Sequence, residues 1–384
     1  MESQPPIVIA GAGIAGLTLA AGLARSGPEV IVVERGRSLA DAGSGITLWP
    51  NALAALDVAG VGDAVRAAGG TVSSGGVRRP DGSWIRAADP LVVEAALGEP
   101  MITIHRRDLL GILASALDPS ALRFGVALES FELSDDGVRV SLGDGSVVHG
   151  RGLVGADGIG SVVAATLQQG LGLRYSGYTA WRGVSDFDVS GTEPGETWGP
   201  GGEFGFLPLG ASSAYWFATE NTPERGRNPE GELGHLVTRF GDWHHPIPEL
   251  LRSSDPSAVL RHDIHDRRAL RTWSNGPVIA IGDAAHPMRP HLGQGGCQSI
   301  EDGVLLASML RGRAELAPIF TEFSMRRRRR LAPIIRQSAV VGRVIQGQSA
   351  PAALLRRLGS RLPTRLLASN LGKVGGRDAF GAGI

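Results

Sequence analysis

Residues 7–16, IVIAGAGIAG, decide the fold, and the apolar run LTLAAGLARSG follows them directly. A short β-branched run, a glycine-rich turn and an apolar helical stretch predict a strand, a tight turn and a helix. Residues 29–34, EVIVVE, predict a second buried strand. Strand, helix and strand within about 30 residues form a parallel βαβ unit with a right-handed crossover.

The glycines of this turn have the spacing of a dinucleotide-binding site, Gly11-x-Gly13-x-x-Gly16. The first permits the tight turn, the second lets a pyrophosphate approach the backbone, and the third lets the helix pack on the strand. The helix N-terminus presents free N–H groups and the positive end of its dipole to phosphate. Glu34 ends the second strand, where an acid accepts the ribose hydroxyls. We expect a bound dinucleotide without a 2′-phosphate, and the motif alone does not distinguish FAD from NAD.

A second glycine-rich segment comes late in the chain, with GDAAHP at 282–287 and GQGGCQ at 293–298. Asp283 follows a predicted buried strand, so it faces a crevice and needs polar partners such as the hydroxyls of a polyol chain. The turn at 293–296 opens a predicted helix, whose free N–H groups suit the negative charge of a reduced flavin ring. We expect the two glycine turns to hold opposite ends of one flavin nucleotide.

Composition excludes several classes of protein. The chain has 384 residues, with 38 basic and 38 acidic side chains and one cysteine. The balanced charge gives no reason to expect a nucleic-acid partner, and a single cysteine cannot form an internal disulfide. We interpret the adjacent His244 and His245 as loop residues and expect no metal site. No long apolar run is present, so we expect a cytoplasmic protein, monomeric or homodimeric, that does not bind membranes.

The pattern along the chain predicts an α/β protein with a discontinuous first domain. Residues 1–74, 101–172 and 274–345 are assigned to a FAD-binding domain, residues 75–100 and 173–273 to a substrate-binding domain, and residues 346–384 to a C-terminal helical tail. Aromatic residues cluster in the second domain, where strand-like pieces alternate with Gly/Pro loops, which predicts an antiparallel sheet. We also predict a hairpin at 75–86, a helix from residue 104 and an antiparallel meander over 122–155.

Four spaced motifs together resemble the single-component FAD-dependent aromatic hydroxylases, the family of para-hydroxybenzoate and salicylate hydroxylases. They are GAGIAG, HRRDLL, GADG and GDAAHPMRPHLGQGGCQSIED, in order over residues 7–345. Urate hydroxylase and zeaxanthin epoxidase are similar. The resemblance implies a Rossmann-type FAD-binding domain, an antiparallel substrate domain and C-terminal helices. It further implies that FAD, NADH or NADPH as a transient co-substrate, and O2 hydroxylate a small aromatic substrate through a flavin C4a-hydroperoxide.

The resemblance also assigns roles to residues by matching position. The positions expected to hold the adenosine diphosphate end are Gly11, Gly13, Ala15, Gly16, Glu34 and Arg35. Arg106 is expected to contact FAD, and Asp157 to lie near the pyrophosphate and nicotinamide path. Asp283 is expected on the ribityl or pyrophosphate oxygens. The residues expected at the isoalloxazine are Gly293, Gly295, Gly296 and Cys297. Pro290 is expected to line the substrate side. Ala164 stands where the family has arginine, which leaves the binding of the nicotinamide cofactor open.

Handling of the substrate proton is open among Tyr215, Arg182, His105 and His286. Each has a structural alternative: a core tyrosine with a satisfied hydroxyl for Tyr215, an ion pair for Arg182, and a hydrogen bond that fixes the loop for His286. Cys297 is also interpreted as a small packing residue. The five arginines at 326–330 are interpreted as a solvated helix face that pairs with acids.

Three other functions remain open at this point. The same flavin chemistry could epoxidise a non-aromatic olefin or cleave a ring, or the protein could be a flavin reductase or dehydrogenase that never uses O2. A dinucleotide sensor without enzymatic activity is the third. The sensor is disfavoured by the second flavin motif and by the aromatic-rich sheet, which suits an apolar pocket with few polar anchors.

Overall fold

The structure is a computed structural model that describes residues 4–25, 27–39, 43–348 and 364–381, apart from the side chains of 364–367. Its strands are β1 (Ile7–Ala10), β2 (Val30–Glu34), β3 (Gly45–Leu48), β4 (Gly70–Val72), β5 (Gly76–Arg78), β6 (Trp84–Ala87), β7 (Met101–His105), β8 (Leu122–Phe124), β9 (Leu128–Ser134), β10 (Gly137–Leu142), β11 (Val147–Gly150), β12 (Gly152–Gly155), β13 (Arg174–Ser185), β14 (Gly195–Gly199), β15 (Gly202–Leu209), β16 (Ser213–Glu220), β17 (Leu260–Asp266), β18 (Ser274–Asn275) and β19 (Val278–Ala280). Its helices are α1 (Ile14–Ala24), α2 (Pro50–Ala59), α3 (Gly62–Ala68), α4 (Pro90–Leu97), α5 (Arg106–Ala114), α6 (Val162–Leu167), α7 (Gly231–Phe240), α8 (Ile247–Arg252), α9 (Gln294–Leu310), α10 (Leu316–Gln346), α11 (Thr364–Gly375) and α12 (Arg377–Gly381).

A six-stranded sheet with the order β18-β19-β12-β1-β2-β8 forms the centre of the first domain. The pairs of β1 with β2 and β12, of β2 with β8 and of β12 with β19 are all parallel. Every residue of β1 is buried, which explains its continuous apolar sequence, because helices and loops cover both faces of a parallel sheet. The predicted βαβ unit and the α/β class are confirmed.

Two local predictions are corrected by the strand pairing. Only β9, β10 and β11 form the antiparallel meander, since β8 and β12 join the parallel sheet instead. All four residues of β12 are buried, so it has a continuous apolar pattern rather than an alternating one. The helix expected from residue 104 begins at Arg106, because Ile104 still pairs with Ile46 of β3.

A seven-stranded sheet forms the second layer, in the order β17-β13-β16-β15-β14-β5-β6, and the predicted hairpin contributes β5 and β6. Successive side chains of a strand point to opposite faces. One face carries Trp181, Phe204 and Trp216, which pack with α7 and α8 into a separate core. The opposite face, here called the cleft face, carries Arg182, Tyr215 and their neighbours and is directed at the first domain. The domain boundaries proposed from the sequence stay a prediction.

The C-terminal part returns to the first domain. Arg377 on α12 pairs with Asp57 of α2 at 2.9 Å and with Glu99 at 2.5 Å. Arg330 of α10 donates to the carbonyl oxygens of Lys373 and Val374 at 3.2 and 3.1 Å. The predicted helical tail is therefore helical over residues 364–381, while 349–363 and 382–384 lie outside the described residues. Among the described helices, none is both long and apolar enough to cross a bilayer.

Candidate active site

The two glycine turns open at the same edge of the molecule, because α1 and α9 pack side by side in parallel. A Cβ atom on Gly296, at the start of α9, would lie 3.5 Å from Ile14 Cδ1 at the start of α1. A Cβ atom on Gly22, near the end of α1, would lie 2.7 Å from Ala307 Cβ near the end of α9. Both helix N-termini, with their free N–H groups, therefore face one crevice.

The first turn fits a pyrophosphate. Gly11 has φ +103°, and a Cβ there would lie 2.5 Å from the carbonyl oxygen of Ala156. A Cβ on Gly16 would collide with the carbonyl oxygen of Gly11, so packing requires both glycines. Gly13 differs, since a Cβ there would meet nothing within 4 Å, and no side chain caps α1 at this position. Packing does not explain the second glycine, whereas a ligand seated on the helix N-terminus does.

The predicted acid lies beside this turn. The carboxylate of Glu34 accepts the N–H of Ala12 at 2.8 Å and the N–H of Gly36 at 2.7 Å. These bonds fix the side chain next to the glycine turn, where a ribose would lie. The side chain of Arg35 is exposed at the end of β2. Ala15 is almost fully buried, and it touches the second motif, because a Cβ on Gly282 would lie 2.9 Å from its own Cβ.

Two carboxylates lie at the carboxyl edge of the parallel sheet, where ligands bind in open α/β sheets. Asp157 follows β12 and accepts the N–H of Val162 at 2.8 Å through Oδ2, while its buried Oδ1 has no partner among the described residues. Burial raises the pKa of Asp157, against hydrogen bonds that lower it. Asp283 follows β19 and is accessible to solvent. Desolvation by the surrounding protein nevertheless raises the pKa of Asp283, as expected for a group inside a crevice.

Arg106, the first residue of α5, links the parts of this crevice. Its side chain is accessible, yet the protein around it lowers the pKa of Arg106 by desolvation. The charges of Asp283 and Glu34 oppose that shift, and the charge of Arg182 adds to it. Arg106 therefore lies within electrostatic reach of the predicted ribose acid, the second motif and the cleft face of the sheet.

The second turn has the left-handed geometry that requires glycine at its first position. Gly293 has φ +61° and precedes α9, which no side chain caps. A Cβ on Gly295 would meet nothing closer than 3.8 Å, whereas one on Gly296 would lie 2.7 Å from Ile46 Cδ1 of β3. Packing therefore does not require glycine at residue 295, whereas Gly296 packs on β3. Pro290 begins a short 3-10 helix of one turn, Pro290–Leu292, which leads into Gly293.

Cys297 is fully buried, and its sulfur faces the backbone of β3 rather than the crevice. The N–H of Trp49 points at Sγ over 3.4 Å. Burial raises the pKa of the Cys297 thiol to about 12, so it remains protonated at neutral pH. The geometry favours the packing interpretation, and contact with a ligand is left to the main chain of Cys297.

Arg182 and Tyr215 meet on the cleft face. Tyr215 is only 7% exposed, and its ring lies against Gly45 of β3, where a Cβ would lie 2.6 Å from the ring carbon Cδ2. Burial raises the pKa of Tyr215, against the charge of Arg182 and a hydrogen bond with it. Arg182 forms no ion pair with any carboxylate of the described residues, so the ion-pair interpretation has no support among them. Its guanidinium has donors left for a ligand.

His286 serves the loop rather than the crevice. It is fully buried, stacks on Trp273 with ring centroids 5.2 Å apart, and contacts Asp302 Oδ2 through Nε2 at 2.6 Å. The same oxygen accepts the N–H of Gly282 at 2.8 Å, so Asp302 holds both ends of the Asp283 turn. His105 ends β7 and is half-buried, and burial lowers its pKa.

The arginine run 326–330 is solvated only in part: Arg326, Arg328 and Arg329 are exposed, whereas Arg327 and Arg330 turn inward. The side chain of Arg327 is 3% exposed and binds Glu301 Oε2 at 2.6 Å and Asp302 Oδ1 at 2.5 Å. Arg330 also binds Glu301, at 2.9 Å. Although burial opposes it, the charges of His286 and Arg327 lower the pKa of Asp302 to about 2. These two arginines do pair with acids, but they are not solvated as expected, because α10 presents them to the acids of α9.

Two further residues of the crevice were missed from the sequence. Arg267 donates to the carbonyl oxygens of Asp283 at 3.0 Å and Ala284 at 2.6 Å, and its buried Nε has no partner among the described residues. His262 of β17 pairs with Ala180 and so shares the face of Arg182. Burial and the charges of Arg182 and Arg106 lower the pKa of His262. Arg267 directly follows β17, and only the register of that strand places His262 on the cleft face.

Comparison with known proteins agrees with this geometry. The chain is 40% identical over 358 residues to aurachin C monooxygenase/isomerase from Stigmatella aurantiaca, covering 93% of this chain and 94% of that one. It is 34% identical over 364 residues to 2-heptyl-3-hydroxy-4(1H)-quinolone synthase from Pseudomonas aeruginosa, with the same two coverages of 93% and 94%. Klebsiella pneumoniae HpxO in complex with FAD and uric acid shares the fold, with TM-score 0.88, 24% identity and 96% coverage of each chain.

The family model described as "FAD binding domain" matches residues 4–337. This match covers both glycine turns and both carboxylates of the crevice. The resemblance to the FAD-dependent aromatic hydroxylases and the expected fold are therefore confirmed, as is FAD as the cofactor. The chain belongs to the FAD-binding-domain family of flavoproteins.

Proposed function

We propose that this protein is a monooxygenase that uses FAD, NADH or NADPH, and O2 to hydroxylate a small heteroaromatic substrate of the quinolone kind. One observation carries the proposal. The N-termini of the parallel helices α1 and α9 lie on one side of a single crevice, and the cleft face with Arg182 and Tyr215 lies on the other. The substrate class is supported by a relative that makes a 3-hydroxy-4(1H)-quinolone and matches this chain over 94% of its own length.

When bound, FAD supplies the redox chemistry, accepting a hydride and activating O2. The chain has to bind it, orient the substrate and exclude water. Glu34 and the N-terminus of α1 at Gly13 would hold the adenosine and pyrophosphate end. Asp283 and Arg106 would bind the ribityl chain, and the turn at Gly293 would carry the ring, with Pro290 on the substrate side.

Arg182 would bind an oxygen of the substrate. Its guanidinium has no carboxylate partner among the described residues, and it fixes the hydroxyl of Tyr215. A guanidinium beside a carbonyl or phenolate oxygen stabilises negative charge there, which keeps the aromatic ring electron-rich and ready for oxygen transfer. Phe217 is opposite Arg182 on β16 and contributes an apolar wall on the same face.

Arg267 would supply the positive charge that the chain lacks at Ala164. Ala164 is fully buried in the core, so a longer side chain has no room there. The charges of Asp283 and Asp157 act on Arg267, so its guanidinium is within electrostatic reach of both crevice carboxylates. A cation at this position suits a phosphate of the nicotinamide cofactor during its visit.

The experiment that tests the function is substrate-stimulated oxygen uptake. The purified holoprotein is supplied with NADH or NADPH and a panel of 4-quinolones, phenols, salicylate, urate and indoles, and products are analysed by mass. We expect a quinolone to accelerate NAD(P)H oxidation and O2 consumption together and to gain one oxygen atom. Arg182→Met should lower kcat/KM by about 10- to 100-fold, because a charge-assisted hydrogen bond is worth about 1.5–3 kcal/mol. Arg174→Met, at the exposed start of the same strand, is the control.

Two other outcomes would redirect the proposal. Turnover that continues unchanged without O2 would make the protein a flavin reductase or dehydrogenase. An epoxide or a ring-cleaved product from a non-aromatic olefin would leave the flavin chemistry in place and change the substrate class. The need for a reduced nicotinamide cofactor favours the cytoplasm as the location, and sedimentation of the holoprotein would separate monomer from homodimer.

A further inference from the structure

A row of titratable side chains lies at the boundary between the cleft face and the turn Pro290–Leu292, and the site described above does not use it. Its members are Glu196 on β14, Glu203 on β15, His291 in the turn and Tyr178 on β13. They belong to four separate segments of the chain, so local sequence does not bring them together. Such groups are costly to bury unless they contact one another.

Contacts join the inner three of these groups. Nε2 of His291 lies 3.0 Å from the hydroxyl of Tyr178, and Nδ1 lies 3.1 Å from Glu203 Oε1, although not aligned as a hydrogen bond. Glu196 pairs with Gly205, two residues along β15 from Glu203. Diagonal neighbours of this kind on adjacent strands lie within reach of long side chains. Glu196 therefore lies beside the three residues that are in contact, and the effect of the charge of Glu203 on Glu196 agrees with this placement.

Access to solvent falls along the row. Glu196 is half-buried, and its Oε2 accepts the indole N–H of Trp198 at 2.8 Å. Glu203 is 3% exposed, the side chain of His291 is 0% exposed and Tyr178 is 1% exposed. Tyr178 lies on the same face of β13 as Arg182, four residues earlier, and the charge of Arg182 acts on its hydroxyl. The outer end of the row reaches solvent, and its inner end lies on the cleft face.

We propose that Glu196, Glu203, His291 and Tyr178 form a proton-transfer chain between solvent and the crevice. Glu196 takes a proton from water and passes one to Glu203, and Glu203 passes one to Nδ1 of His291. Nε2 then gives its proton to the oxygen of Tyr178 as the hydroxyl releases its own into the crevice. One proton enters, one leaves, and only bonds to hydrogen change. This rests on the proposed function in one respect: hydroxylation with NAD(P)H and O2 consumes one proton per turnover while water is excluded.

The electrostatics of the row suit this role. Burial and the charge of Glu203 raise the pKa of Glu196 to about 7, so its carboxyl can gain and lose a proton near neutral pH. Burial also raises the pKa of Tyr178, which keeps its hydroxyl protonated and able to donate. The other charges nearby are Arg182 and Arg289, the latter paired with Asp266 at 3.3 Å. From α10 the neighbours are uncharged: Gly342 packs against the ring of His291, and Gln346 binds Thr219 opposite Glu203.

The first test is a titration that needs neither substrate nor co-substrate. Glutamate carboxyl groups of the ¹³C-labelled holoprotein are followed by NMR across pH 4–9, and Glu196→Gln identifies the Glu196 signal. We expect Glu196 to titrate near pH 7 and, in Glu203→Gln, to titrate at lower pH, because the neighbouring negative charge is gone. The proton-transfer chain would be overturned if Glu196 titrated like an ordinary carboxyl and Glu203→Gln left its titration unchanged. That outcome does not depend on whether the proposed function holds.

The second test separates proton transfer from mere packing. In the wild type, kcat should fall above about pH 7 with a single ionisation, because the outer carboxyl must be protonated to donate. Glu196→Gln should lower kcat about tenfold at pH 6.5 and remove that ionisation, with FAD occupancy unchanged. Glu193→Gln, three residues earlier and without a side-chain contact among the described residues, should keep the wild-type profile. A Glu196→Gln profile that retains the ionisation would refute the proposal while leaving the monooxygenase assignment intact.

Discussion

The buried arginine of α10 gives the sharpest stability prediction. Arg327 and Arg326 are sequence neighbours in one arginine run, yet their surroundings differ. The side chain of Arg327 is 3% exposed and carries ion pairs to Glu301 and Asp302, whereas Arg326 is 42% exposed and pairs with Glu322 one helical turn away. Removing one member of a buried ion pair costs about 3–5 kcal/mol, while an exposed pair is worth about 0.5 kcal/mol or less.

We therefore expect Arg327→Met to lower the free energy of unfolding by about 3–5 kcal/mol, and Arg326→Met to change it by about 0.5 kcal/mol at most. The assay is urea denaturation of the FAD-loaded proteins at one fixed FAD concentration, followed by tryptophan and flavin fluorescence. Flavin release should come at lower urea in Arg327→Met, because Asp302 also holds the N–H of Gly282 beside the second motif. Similar losses for the two variants would refute the reasoning.

Three further outcomes follow from the crevice. Asp283→Ala should lower FAD affinity about tenfold or more with the fold intact, as seen in the ratio of flavin to protein absorbance, and full FAD retention would count against its placement. Gly13→Ala should fold normally and lose FAD, whereas Gly16→Ala should unfold at lower temperature. The reason is that only a Cβ atom at residue 16 would meet backbone. Equal melting temperatures for the two variants would contradict this. Because burial raises its pKa to about 12, Cys297 should resist iodoacetamide at pH 8 until urea is added, and stoichiometric labelling of the native protein would be inconsistent with its burial.

The parts of the fold that were predictable from sequence are those that local patterns determine. The apolar run of β1 and the steric needs of Gly11 and Gly16 mark the βαβ unit. The extent of the meander was not predictable in the same way. A buried four-residue strand such as β12 has no alternation, and only its pairing with β1 assigns it to the parallel sheet.

The site was predictable where a motif fixes one residue against its own neighbours, as at Glu34 and Gly293. It was not predictable where two distant elements meet. The burial of Arg327 depends on α10 facing Glu301 and Asp302 of α9, and nothing within the arginine run shows this. His291 contacts Glu203 only because the turn before α9 packs on the cleft face. Contacts of this kind follow from the packing of elements, which composition does not specify.

A crystal structure of the protein with FAD is the most direct measurement of the central claim. The account predicts one FAD per chain, with its ribose on Glu34, its pyrophosphate over Gly13 and its ring between the Gly293 turn and the Arg182–Tyr215 pair. A flavin nucleotide bound elsewhere, or one whose ring lies away from both the second glycine turn and the cleft face, would contradict it.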